Sequence, residues 1–177
     1  KGYLGQPEET TLVIDSDGHE HLECYWRLCA RRPEQGIDDE EWRERIEASL
    51  RRAVRRRLEV ADVPVGVLLS GGLDSSLLVA LAVEEGAANL RTFSVGFEDQ
   101  PEEKGSEFEY SDPVAARYAT DHQRSLIPNS EVLRRLPEAV AAMAEPMFGQ
   151  DAVAFYLLAE QVSQHVKVVQ SGQGADE

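Results

Sequence analysis

Two short segments hold the residue types that could do chemistry: Ser70-Gly71-Gly72-Leu73-Asp74-Ser75-Ser76 and Ser171-Gly172-Gln173-Gly174-Ala175-Asp176-Glu177. In the first, adjacent glycines let the backbone approach an anion closely, and the serines on both sides add hydroxyl donors. A helix starting there would aim its unpaired N–H groups at the same place. Asp74 then puts a carboxylate where a bare anion would be repelled. Mg2+ resolves the conflict, because it binds one or two carboxylates together with phosphate oxygens. The segment therefore reads as a phosphate-binding loop with Asp74 as metal ligand; a plain turn between strand and helix is the alternative. It is not of the Walker type, which needs Gly-Lys-Ser/Thr.

The flanking sequence supplies elements able to position both segments. Val65 to Leu69 is a continuous apolar run, as a strand buried on both faces requires. Ser75 to Glu85 reads as a helix ended by Gly86, and Leu90 to Val95 as the next strand. Asp112-Pro113 is expected to open a helix, with Asp as cap and Pro in the first turn. Gln123 to Ile127 is expected as a third strand, followed from Ser130 by a helix interrupted at Pro137. Asp151 can cap a helix running to about Val162, and Val166 to Gln170 forms a fourth buried strand. Strands alternating with helices imply parallel pairing and right-handed crossovers, hence an α/β doubly wound parallel sheet with ligands at the carboxyl ends of its strands. Both glycine-containing segments leave strands at such ends.

The region before this alternation is different. Thr10 to Arg27 reads as a hairpin about Asp17-Gly18, and Arg31 to Gly36 as a linker. From Asp38 to about Glu59 the residues Trp42, Ile46, Leu50, Val54 and Leu58 recur every four positions, predicting a helix with one buried stripe. That segment holds seven arginines against seven acidic residues, so a solvated face is expected rather than a nucleic-acid patch. Trp42, Tyr110 and Phe155 are expected at core or edge positions.

The 177 residues, 42% of them apolar, suffice for one ordinary domain with an appendage. The net charge of −15 argues against a nucleic-acid partner but not against an anionic small ligand held by backbone N–H groups and a metal ion. No stretch approaches the roughly 20 apolar residues that span a membrane, so no membrane partner is expected and the location is read as cytoplasmic. Cys24 and Cys29 are read as reduced structural thiols, and His19, His21, His122 and His165 show no metal-ligand spacing. No Met stands at position 1 and Ser171 to Glu177 is loop-like, so the sequence is read as a fragment.

The segment Ser70 to Ser76 resembles the PP-loop of the ATP pyrophosphatases, which cleave ATP between the α and β phosphates. With Val65-Gly66-Val67-Leu68-Leu69 before it and Ser171 to Glu177 later, the chain is similar to the synthetase domain of class B, glutamine-hydrolysing asparagine synthetases. The resemblance runs from about Asp38 to the end, while residues 1–32 resemble the tail of that family's glutaminase domain and its linker. It divides the chain into 1–32 and 33–177, the latter the N-terminal part of the ATP-dependent synthetase domain.

The resemblance implies that Ser70, Gly71, Gly72, Asp74, Ser75 and Ser76 bind pyrophosphate and its Mg2+. It further implies that Leu68 and Val95 flank the adenosine, that Ser171 and Gly172 contact AMP, and that Asp176 is a second acidic residue near the metal, although a helix cap is its alternative. ATP and Mg2+ are the implied cofactors. The implied reaction activates a carboxylate as acyl-AMP and amidates it with ammonia from glutamine, made in a glutaminase domain absent here. The family's catalytic lysine would lie beyond Glu177, so this piece is expected to be inactive alone. A homodimer is left open.

Two departures bear on the acceptor. Gln173 stands where asparagine synthetases carry Glu, and an acidic insertion runs from Glu98 to Asp112. Both, with Met147-Phe148-Gly149-Gln150-Asp151, look more like the N-acetylglutaminylglutamine amidotransferases, so the expected acceptor is an acetylated glutamine dipeptide, with Gln173 contacting it. Aspartate is the alternative within the family, and a nucleotide-binding regulatory module without catalysis is the alternative outside it. Other PP-loop enzymes share the first loop but are disfavoured by the second.

Overall fold

The computed structural model describes residues 8–27, 36–99, 104–143 and 151–174. The chain divides into two compact units between Arg43 and Glu44. In the first, strands β1 (Glu8–Ile14) and β2 (Glu20–Arg27) pair antiparallel about the expected Asp17-Gly18 turn. Gly18 has φ +84°, and the Asp15 carboxylate accepts the N–H groups of Asp17 and His19, each at 2.9 Å. This local bonding accounts for the grouping of Asp15, Asp17 and His19 at the turn. Leu12, Ile14, Leu22 and Trp26 are all exposed, and Cys24 is a free, exposed thiol rather than a packed one. Cys29 lies outside the described residues.

The second unit is built on a four-stranded sheet of order β5-β4-β3-β6, all parallel: β3 (Val65–Leu68), β4 (Arg91–Phe97), β5 (Asp121–Ile127) and β6 (Val168–Gln170). Helix α1 (Asp39–Val60), which enters this unit at Glu44, and helices α2 (Leu73–Glu84), α3 (Phe108–Tyr118), α4 (Asn129–Ala142) and α5 (Asp151–Val162) complete it. Val67 and Leu69 pack with Val54 of α1, Val79 of α2 and Ala115 of α3 in one cluster. Leu68 points the other way, onto Phe93, Leu158 and Val162. Alternate strand residues thus serve opposite helical layers, and the sheet is doubly wound in the PP-loop manner. The chain steps outward from β3 to β4 to β5, then crosses back to place β6 on the other side of β3. The switch point lies between β3 and β6, and both glycine-containing loops open there.

Several expectations change in three dimensions. The α1 stripe is buried only from Leu50 onward: Val54 is 2% exposed, whereas Trp42 and Ile46 are 44% and 55% exposed. Its arginine face is also not simply solvated. Arg55 pairs with Glu85 at 2.6 Å, and Arg51 bonds Glu84 and Glu85, fastening α1 to the end of α2. Helix α3 begins at Phe108, not at Asp112, and keeps Pro113 in its interior. The added turn buries Ser111 completely and half-buries Phe108, which outweighs the one N–H that proline lacks. Helix α4 likewise runs unbroken through Pro137. The carbonyl this proline leaves unpaired belongs to Leu133, a residue that is 79% exposed.

Candidate active site

Strand β3 delivers the chain into the first loop at the switch point, and α2 starts at Leu73 with Gly72 as an N-cap that offers no side-chain bond. The loop is shaped by its own hydroxyls. Ser75 Oγ lies 3.0 Å from Ser70 Oγ and accepts the Gly71 N–H at 3.3 Å, while Ser70 Oγ accepts the Gly72 N–H at 3.3 Å. Ser76 N–H is used by the Gly72 carbonyl. The N–H groups of Leu73, Asp74 and Ser75 are left as the unpaired first turn of a 12-residue helix, the arrangement that binds anions.

The glycines have separate reasons to be there. Gly71 has φ +90°, and a Cβ on it would lie 2.5 Å from the Tyr110 backbone carbon and 2.6 Å from Ser111 N. It is a glycine because α3 packs against the loop. Gly72 has an ordinary φ of −68°, and a Cβ there would meet only Ser70 Oγ, at 3.5 Å. Its face is open toward a ligand. Gly172 in the second loop lies so close to α2 that a Cβ would come within 2.9 Å of Asp74 Cβ and 3.2 Å of Ser75 N.

The loops enclose a cavity of about 460 Å³. Of the residues singled out from the sequence, Leu68, Ser70, Gly72, Asp74, Ser75, Val95, Ser171, Gly172 and Gln173 all line it. Gly71 is turned to α3, Ser76 sits further along α2, and Asp176 lies outside the described residues, as do Met147 to Gln150. Gln173 N–H donates to Ser171 Oγ at 3.1 Å, which fixes the turn of the second loop.

The cavity also has walls that no sequence motif marked. Ser94 of β4 and Phe155 and Leu158 of α5 contribute to it, as do Glu107 and Phe108 from the acidic segment. That segment is rooted where it leaves the sheet: Phe97 N–H donates to Gly105 O at 2.6 Å and Gly105 N–H to Asp99 Oδ1 at 2.9 Å. The clasp returns the chain beside β4, so the insertion becomes a wall. The i, i+3 spacing of Phe155 and Leu158 was the available signal for α5, but it does not tell a core face from a cavity face.

Among the described residues, the ionisable groups lining the cavity are Asp74 and Glu107. Asp74 is half-buried, and its carboxylate makes no hydrogen bond or ion pair with any described residue. A free carboxylate beside three unpaired N–H groups suits Mg2+ shared with phosphate oxygens, so the donor set fits the metal. On the far side of β4, burial pushes the His122 imidazole below its ordinary pKa, with Arg124 acting the same way and Asp112 opposing.

The family model described as asparagine synthase matches residues 45–177. Asparagine synthetase (glutamine-hydrolyzing) 1 of Bacillus subtilis (strain 168) is 39% identical over 117 residues, covering 66% of this chain and 18% of that protein. The human asparagine synthetase (glutamine-hydrolyzing) is 31% identical over 158 residues, covering 80% of this chain and 26% of that protein. The chain thus spans about a fifth to a quarter of the length of these relatives. Among solved structures, a glutamine-dependent NAD+ synthetase from Acinetobacter baumannii in complex with ADP is similar at TM-score 0.53 and 19% identity, over 86% of this chain and 30% of that one. The U34-tRNA thiolase NcsA from Methanococcus maripaludis is similar at TM-score 0.51 and 19% identity, over 75% and 46%. At these identities the likeness concerns the fold.

Proposed function

Because this chain belongs to the asparagine synthase family, we propose that it is part of an ATP-dependent, glutamine-using amide ligase, with residues 33–177 in the synthetase domain and residues 1–32 the tail of a glutaminase domain and linker. The observation that carries this reading is the convergence of the two loops on one cavity, with Gly172 set against Asp74. A phosphate loop alone would suit any nucleotide binder. A second loop across the switch point lets one cavity hold a nucleotide and a second reactant in line.

In this reading the unpaired N–H groups of Leu73, Asp74 and Ser75 hold the pyrophosphate end of ATP, while Leu68 and Val95 flank the adenosine and Ser171 and Gly172 meet the AMP part. The acceptor carboxylate attacks the α-phosphorus, the bond to the bridging oxygen breaks, and pyrophosphate leaves. Ammonia then attacks the acyl carbon and AMP departs, leaving the amide. Fixed N–H groups aimed at the leaving oxygens lower the barrier because they need no reorganisation as charge develops. Mg2+, held by Asp74 and Asp176, would neutralise charge on the pyrophosphate.

For the acceptor we propose an acetylated glutamine dipeptide. Gln173 lines the cavity as a neutral amide, able to donate to and accept from peptide groups. A Glu there would pair with the ammonium of free aspartate but stay unpaired against a blocked amine. One observation favours aspartate instead: Glu107, an acidic residue, is part of the cavity lining, and a carboxylate there would serve an ammonium. Amide formation by the full-length enzyme on both acids, with wild type and Gln173→Glu, decides between them. The dipeptide reading expects the wild type to prefer the dipeptide and Gln173→Glu to impair that reaction by roughly 1–3 kcal/mol. A wild-type preference for aspartate overturns it. Absence of pyrophosphate release with either acid would favour a regulatory module.

A further inference from the structure

Ser94 sits within β4, only 5% exposed, on the opposite sheet face from Phe93 and Val95. Its hydroxyl donates to the carbonyl of Leu69, the residue immediately before the phosphate loop. Leu69 N–H in turn donates to Phe93 O at 2.8 Å. Leu69 is therefore held on both its N–H and its C=O by neighbouring residues of β4, although β3 itself ends at Leu68.

The Ser94 proton is committed to Leu69, so its oxygen can only accept from anything else. His122 Nε2 lies 3.5 Å away, His122 Nδ1 is 2.8 Å from Thr92 Oγ1, and Thr92 Oγ1 is 2.7 Å from Thr120 Oγ1. With His122 neutral, one orientation satisfies the whole row: Thr120 donates to Thr92, Thr92 to Nδ1, Nε2–H to Ser94, and Ser94 to Leu69. The charged groups facing the imidazole are Asp112 of α3, 3.6 Å from Nε2, and Arg124 of β5, which bonds Asp112 at 3.1 Å.

We propose that Ser94, oriented by His122, is a positioning residue for the phosphate loop: by fixing the Leu69 carbonyl it sets the direction in which the loop leaves the sheet, and hence where the free N–H groups of Leu73 to Ser75 point. The inference rests on the reading of the loop as the pyrophosphate site.

The test separates the two ligand halves. In the full-length protein, calorimetry measures binding of Mg2+ with a non-hydrolysable α,β-methylene ATP analogue, and separately of AMP, to wild type, Ser94→Ala, Ser94→Thr and His122→Ala. Ser94→Ala is expected to weaken the triphosphate analogue about three- to tenfold and AMP by less than about twofold. Ser94→Thr, which keeps the hydroxyl, restores the affinity, and His122→Ala shows a smaller loss with the same selectivity. Equal losses for both ligands, or no loss in Ser94→Ala and His122→Ala, overturn the proposal. Failure of the wild type to bind the triphosphate analogue would instead overturn the pyrophosphate-site reading.

Discussion

Gly172→Ala inserts one methyl group between the two loops. Its Cβ would lie 2.9 Å from Asp74 Cβ and 3.2 Å from Ser75 N. Carbon atoms rest about 3.5–4.0 Å apart, so the methyl needs about 0.6–1 Å of movement. Gly172 is not among the residues of positive φ, so alanine meets no backbone penalty there and the whole effect is a wedge. Asp74 and Ser75 belong to the first turn of α2, and Ser75 is 7% exposed. The exposed second loop must give way instead. The AMP and acceptor contacts proposed for it would then shift against the phosphate loop, and a misplacement of that size costs on the order of 10²-fold in rate. Stability should change by less than about 1 kcal/mol, because the strain relaxes into solvent. Pyrophosphate release from Mg-ATP by the full-length enzyme, with thermal melting as control, reads both quantities. A folded variant working within about threefold of wild type would refute the reasoning that the close approach of the loops sets the reaction geometry.

Gly71→Ala should act on the fold instead, because its φ of +90° and a Cβ 2.5 Å from the Tyr110 backbone leave no relief short of moving α3. A loss of at least about 2 kcal/mol in urea unfolding is expected, and unchanged stability would show that α3 does not rest on the loop. Asp74→Ala should reduce amide synthesis by the full-length enzyme on the order of 10²-fold or more while glutamine hydrolysis continues; equal loss of both activities would point to unfolding rather than to the metal. His122 should make stability depend on pH. Burial lowers its folded pKa below the unfolded value, so its contribution is fully present above the unfolded pKa of about 6.5 and is lost as pH falls from there through the folded value. Urea unfolding at stepped pH should show wild type losing more stability than His122→Asn across that window, and parallel curves would contradict the assignment.

What the sequence determined by itself was local. The apolar run Val65 to Leu69, the glycine and serine spacing of the first loop and the Asp17-Gly18 turn each depend on a few adjacent residues, and each formed where its chemistry required. Ser70 and Asp74 could be singled out because an anion-binding loop must show its donors and its metal ligand within one short stretch, whereas Leu68 and Gln173 were marked only by the family resemblance. Only the tertiary structure decided the matters that involve distant partners. Pro113 reads locally as a helix start and Pro137 as an interruption, yet with Ser111 buried and Leu133 exposed both helices run through them. The loop's own sequence does not reveal that the α3 backbone lies against Gly71, and the acidic segment looks like a surface insertion until the clasp between Phe97 and Gly105 turns it into a cavity wall. Ser94, in mid-strand, carries no motif, because its importance comes from a carbonyl 25 positions earlier. Propensity and pattern act over a few residues, whereas the return of β6 to the other side of β3 brings a loop from the far end of the chain into contact with Asp74. The candidate site depends on that long-range pairing, and no local pattern encodes it.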